Sequence, residues 1–164
     1  MVKMQDIIKV GMADLKIAKF PRILTTLGLG SCVGIALYDV NAKVAGLAHI
    51  MLPNSKQIKN NVNKAKFADT GINLLLEEMI RAGASKSRIV AKIAGGAQMF
   101  SFSGNNDVMK IGFRNTQATK EILNELRIPI IAEDTGGTYG RTIEVYSDTG
   151  GLLVKTIGHG IKEI

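Results

Sequence analysis

Two apolar runs, Val33 to Tyr38 and Val44 to Leu52, stand either side of Asp39-Val40-Asn41-Ala42-Lys43. Asp and Asn hydrogen-bond their own backbone and tolerate unusual dihedrals, so the spacer carries turn chemistry. Two apolar runs around such a spacer predict a β-hairpin. Centred on Val40-Asn41, that hairpin sets Cys32 directly opposite His49. Directly opposed residues share a face, with Cβ atoms about 4.5–5.5 Å apart. A slip of two residues keeps the pair on one face as diagonal neighbours, whereas a slip of one separates them. On the first strand Val33, Ile35 and Leu37 form a large face, predicted to pack on the core. Cys32, Gly34 and Ala36 form a small face, predicted to leave room for a cleft.

Cys32 is the only cysteine, and His49 is one of two histidines. A thiol beside an imidazole is a way to make a nucleophile. The thiolate attacks, and the neighbouring ring lowers the thiol pKa and carries the proton. Gly28, Gly30 and Ser31 lie just ahead of the sulfur and are the expected cleft residues. Glycines there allow a sharp bend, which turns backbone N–H groups near Ser31 and Cys32 toward an oxyanion. The competing reading is a buried cysteine acting as a small hydrophobe.

The stretch Thr26-Leu-Gly-Leu-Gly-Ser-Cys32, followed by Ala48-His49-Ile-Met-Leu-Pro53, resembles the signature of the CheD family, the chemoreceptor glutamine deamidases of bacterial chemotaxis. The likeness continues through Lys66-Phe-Ala-Asp-Thr70, Ala91-Lys-Ile-Ala-Gly-Gly-Ala97, Ile111-Gly-Phe-Arg-Asn115 and Ala132-Glu-Asp-Thr-Gly-Gly137. It spans nearly the whole chain. The resemblance implies Cys32 as nucleophile, His49 as general base and Thr26 as third member of the site. Thr26 then either orients His49 or positions the carboxamide. It implies a protein-glutamine deamidase, working through a cysteine thioester on methyl-accepting chemoreceptors. It also implies binding to a CheC-like phosphatase of the response regulator, and hence an alternative role as a non-catalytic adaptor. The implied fold is the layered α/β/β architecture of certain cysteine-dependent deamidating toxins.

Composition narrows the other possibilities. A chain of 164 residues, 46% hydrophobic, suits one domain spanning residues 1–164. A single cysteine rules out an internal disulfide framework and points to a reducing compartment. No secretory h-region opens the chain, and no apolar run approaches the ~20 residues of a transmembrane helix. The expectation is a cytoplasmic protein without membrane insertion. The net charge of +7 favours an acidic partner. The basic residues are dispersed, Trp is absent and aromatics are only 5%, so nucleic acid is not the expected partner. One Cys and two His are too few for a structural zinc site. Gly28-Leu-Gly30 precedes a strand and lacks the last glycine of a dinucleotide fingerprint. Neither metal nor cofactor is expected.

The remaining elements follow from periodicity. Asp6 to Val10 and Leu15 to Phe20 read as strands, and Lys56 to Lys64 as a polar surface loop. Ala68, Ile72, Leu75, Leu76 and Met79 recur at helical spacing, with Gly83 as the terminating residue. Arg88 to Ala94 is a strand ending at Gly95-Gly96, where either a ligand approaching the backbone or a tight turn is expected. A polar loop is expected over Ser101 to Lys110, then a second helix capped by Asn115 and ending before Pro129. Pro129 to Ala132 is a short strand, and Asp134 shapes a turn or lines the cleft. Arg141 to Tyr146 and Leu152 to Ile157 form a second hairpin, and His159 is a surface residue. Strands, helix, strand, helix, strands make an α+β sandwich with two amphipathic helices over a mixed sheet.

Overall fold

The computed structural model describes residues 6–99 and 110–164. The strands β2 (Asp14–Lys19), β4 (Val33–Asp39), β5 (Val44–Ile50), β6 (Val90–Gly95) and β7 (Ile130–Thr135) form an inner sheet in the order β2-β5-β4-β6-β7. An outer sheet runs β1-β3-β8-β9-β10, from β1 (Ile7–Lys9), β3 (Ile23–Leu29), β8 (Arg141–Tyr146), β9 (Leu152–Thr156) and β10 (Gly160–Glu163). The helices α1 (Ala68–Arg81) and α2 (Ile111–Glu125) cover the free face of the inner sheet. The result is the expected α/β/β layering, with parallel pairing of β6 to β7 and of β1 to β3 inside otherwise antiparallel sheets.

The two halves of the predicted hairpin are strands β4 and β5, and every residue in both is buried. A strand covered on both faces needs apolar residues at every position, which explains their continuous runs. Val33, Ile35 and Leu37 pack with Ala48 and Ile50 under α1 and α2. Ala36 and Tyr38 pack with Ala45 and Leu47 against Leu24, Ile143 and Val154 of the outer sheet. Each fully buried Ile or Leu contributes about 1.5–3 kcal/mol by leaving water. The small face is therefore not a cleft. A Cβ on Gly34 would stand 2.7 Å from Ile143 Cδ1, so the outer sheet already fills the space that small residues leave.

The turn is longer than expected. Asp39 pairs with Val44, leaving four residues at the tip, with Lys43 at φ 52°. The carboxylate of Asp39 caps it by accepting from the N–H groups of Asn41 and Ala42, and also takes the Arg88 guanidinium at 3.0 Å. Burial alone would raise its pKa, but Arg88 and the backbone donors of Ser85 and Ala42 outweigh it and hold the carboxyl at about 2.

Helix α1 occupies the predicted span and ends through Gly83 at φ 109°. Helix α2 begins four residues before Asn115, which is an interior residue of the helix and not its cap. The loop expected over Ser101 to Lys110 falls almost wholly outside the described residues. Strand β10, absent from the sequence reading, follows His159, which is exposed as expected and stacks on Tyr139. Among the described residues no helix is long and apolar enough to cross a membrane.

Candidate active site

The chain passes from the outer to the inner sheet between Thr26 and Cys32. Strand β3 pairs with β8 up to Thr26, then its register shifts before Leu29. Leu27 and Gly28 bulge into solvent, with Gly28 at φ 70°, a left-handed conformation that glycine adopts without a steric penalty. Leu29 then pairs with Arg141 of the same outer sheet, so Gly28 serves a bulge within β3 and the crossing to the inner sheet runs through Gly30 to Cys32. This crossing puts Thr26 on one sheet and Cys32 just ahead of β4, the central strand of the other, a separation that no hairpin reading of the sequence contains.

The register of β4 and β5 places Gly34 opposite His49, two residues from the predicted partner. The longer turn causes the shift. Because it is two residues, Cys32 and His49 stay on one face as diagonal neighbours. That face looks toward the outer sheet. There the Thr26 hydroxyl meets His49 Nδ1 at 2.7 Å. The same hydroxyl donates to the Val10 carbonyl at 2.7 Å. A hydroxyl has one proton to give, so toward the ring it can only accept. Nδ1 therefore carries the ring proton, and Nε2 keeps its lone pair. Nε2 is buried and has no hydrogen-bond partner among the described residues. Of the two roles left open for Thr26, orientation of His49 is the one its geometry serves.

Cys32 keeps 8% of its surface and His49 only 1%, so a substrate enters from the sulfur side. Burial raises the Cys32 pKa above its ordinary value, opposed by the residue's own backbone N–H. Burial lowers the pKa of His49. Both shifts favour the uncharged forms, so the resting pair is a thiol beside a neutral imidazole. The expectation of a thiol made acidic by its histidine is corrected: burial raises the Cys32 pKa and keeps the imidazole neutral.

Three successive carbonyls of the cysteine loop are held from outside. Gly30 O accepts from Ala97 N–H at 2.9 Å, Ser31 O from Asn115 Nδ2 at 3.0 Å, and Cys32 O from Gly96 N–H at 2.8 Å. Gly95 and Gly96 permit this approach: a Cβ on Gly95 would lie 2.3 Å from Cys32 O. What comes close to the glycine pair is the chain's own backbone, which neither alternative for it contained. Asp134 does not shape a turn: it sits in β7 and reaches Arg141 at 3.5 Å and Lys162 at 3.6 Å.

A surface groove between Pro53–Gln57 and the Phe113–Ile122 side of α2 contains none of Thr26, Cys32 or His49. At the site itself, the partly exposed sulfur of Cys32 is the opening. Exposed apolar residues border it on three segments. Met12 precedes Ala13, whose N–H bonds His49 O; Leu27 follows Thr26; and Met99 lies against Gly30. Asn115 was missed as a site residue. Its signal was its spacing with Thr119 and Leu123, which puts all three on the buried side of α2.

The model of the family described as CheD chemotactic sensory transduction matches residues 51–156. Among curated proteins, the "Probable chemoreceptor glutamine deamidase CheD" of Caldanaerobacter subterraneus subsp. tengcongensis is 66% identical, over 96% of this chain and 98% of that one. The protein of the same name from Lachnoclostridium phytofermentans is 59% identical, over 98% and 100%. The "Chemoreceptor glutamine deamidase CheD" of Halalkalibacterium halodurans is 54% identical, over 98% and 100%. A solved structure, Bacillus licheniformis hypothetical protein YfiH, aligns with TM-score 0.47 at 17% identity, over 74% of this chain and 50% of that chain, too distant to bear on function. With its crossing loop, its thiol and its oriented imidazole now placed, and with relatives matched along almost their whole length, the chain belongs to the CheD family.

Proposed function

We propose that this chain deamidates glutamine side chains of chemoreceptors, with Cys32 as nucleophile, His49 as general base and Thr26 as the residue that orients the base. The observation that carries the reading is the Thr26–His49 contact, which leaves Nε2 as a free base on the face shared with Cys32. The names of the relatives supply the substrate class.

The reaction follows from these groups. Cys32 Sγ attacks the glutamine Cδ as its proton passes to His49 Nε2. The C=O bond opens to an oxyanion, which the Cys32 N–H is placed to receive. Collapse expels the amide nitrogen, which takes the proton from Nε2 and leaves as ammonia. The product is a thioester. Water then gives a proton to the freed Nε2 and attacks the same carbon. The sulfur leaves, is reprotonated, and glutamate is released. Thr26 accepts from Nδ1–H throughout, so the ring stays in one tautomer and is supported as it becomes cationic.

A site bordered by the exposed apolar Met12, Leu27 and Met99 suits a glutamine presented on a protein surface more than a free amino acid, and the net charge of +7 suits an acidic partner. The test is incubation of the protein with a purified receptor cytoplasmic region, followed by peptide mass spectrometry. Glutamine converted to glutamate by the native chain and not by Cys32→Ala is the expected result; receptor unchanged by the native chain contradicts it.

A further inference from the structure

The β4–β5 ladder ends at Val33 opposite Ile50. One step further, Cys32 and Met51 no longer pair as strand residues, so the hairpin opens where the nucleophile sits. The side chain of Asn115 bridges this opening. Its Nδ2 donates to Ser31 O at 3.0 Å and to Met51 O at 2.9 Å, using both of its protons. One carbonyl belongs to the residue before the nucleophile, the other to the second residue after the base. Asn115 is fully buried, and its Oδ1 has no hydrogen-bond partner among the described residues. A buried amide with an orphan oxygen is unfavourable on the core side of a helix, where an apolar residue would serve packing alone.

We propose that Asn115 is a positioning residue of the deamidation site: by tying Ser31 to Met51 it fixes how far the hairpin opens, and with it the separation of Cys32 from His49 and the plane of the Ser31–Cys32 peptide. With the Ser31 carbonyl held toward Asn115, the trans peptide turns the Cys32 N–H to the opposite side. Asn115 thereby aims the oxyanion donor without touching the reacting atoms. Helix α2 holds its post because Gly112 and Thr116 seat it on the Gly96–Ala97 backbone, where a Cβ on Gly112 would meet Ala97 O at 2.2 Å. The inference rests on Cys32 and His49 being the reactive pair, and not on which protein carries the glutamine.

The test compares Asn115→Ala and Asn115→Asp with Leu123→Ala, a core truncation on the same side of α2. Asp keeps the size of Asn but, as a carboxylate, has no proton to give. In both position-115 variants kcat should fall about 10- to 100-fold, the usual cost of misplacing reacting groups by around 1 Å. KM should stay within about twofold, since no substrate contact is lost. Iodoacetamide should meanwhile alkylate Cys32 faster than in the native chain, with the pH midpoint moving toward that of an unburied thiol, because the loop is released. Turnover and alkylation moving in opposite directions separates positioning from a general loss of structure. Leu123→Ala should leave both unchanged in the folded fraction. Alkylation requires no receptor, so it still reads the role of Asn115 if the receptor is not the substrate. Should neither variant fold, the native protein decides: the Asn115 side-chain protons should resist exchange with solvent. Native kcat with an unmoved alkylation profile, the same behaviour in Leu123→Ala, or rapid exchange of those protons would overturn the proposal.

Discussion

The hydroxyl of Thr26, on the outer sheet, meets Nδ1 of His49, on the inner sheet, at 2.7 Å. The contact fixes the tautomer because the hydroxyl proton is already given to Val10 O. Thr26→Val keeps the shape and removes the acceptor. Its kcat should fall by about 10- to 100-fold, within the range that a positioned general base supplies. Thr26→Ser should restore most of that loss. Steady-state kinetics of the two variants checks the assignment, and equal activity in Val and Ser would sink it.

The uncharged resting pair shapes stability against pH. His49 has its pKa lowered by burial, so the unfolded chain takes up a proton that the folded chain refuses once pH falls below the ordinary value of 6.5. Stability is then lost on acidification. Cys32 has its pKa raised, so above the ordinary value of 9.0 the unfolded chain gives up a proton that the folded chain keeps, and stability is lost as pH rises. Urea denaturation across this range should show both declines. His49→Gln should remove most of the acid-side decline above the window of Asp39, whose contribution fades only between 3.8 and about 2.

Leu27 is 60% exposed beside the site, on the bulge in β3 that follows Thr26. Leu27→Glu should raise KM for the receptor region about tenfold, equivalent to roughly 1.4 kcal/mol of lost contact. The rate of Cys32 alkylation by iodoacetamide should not change. A variant with native KM would remove Leu27 from the docking surface.

Gly34 sits where the two sheets press together. A Cβ there meets Ile143 Cδ1 at 2.7 Å and Leu29 Cδ1 at 3.0 Å. Gly34→Ala should therefore destabilise the fold by about 1–3 kcal/mol, the usual cost of overpacking. Chemical denaturation measures it. A neutral result would mean that the small face is roomier than the packing of Ile143 and Leu29 indicates.

Much of this was legible in the residues. Val33 to Tyr38 and Val44 to Leu52 gave the central hairpin, and parity kept Cys32 and His49 on one face even though Lys43 lengthened the turn and moved the register. The fate of the small face was not legible. Gly34 and Ala36 look the same from sequence whether a substrate or a second sheet lies over them. Nor was the place of Thr26, because Gly30 to Cys32 carry the chain from the outer sheet, where Leu29 still pairs with Arg141, to β4 of the inner sheet. Asn115 was misread because asparagine before a helical pattern usually marks a cap. Here the helix starts four residues earlier, and the carboxamide holds backbone carbonyls of the active-site hairpin.

The central claim is that the Cys32 sulfur becomes acylated by a glutamine side chain. Its most direct test is intact-protein mass spectrometry of an acid-quenched mixture of the chain with a receptor cytoplasmic peptide. The account predicts a transient adduct that localises to Cys32, loses ammonia relative to the simple sum of the two molecules, and yields glutamate when water is admitted. It also predicts that in His49→Ala this adduct forms far more slowly. Receptor glutamine converted to glutamate at the native rate by Cys32→Ala, with no adduct at any time, would contradict it.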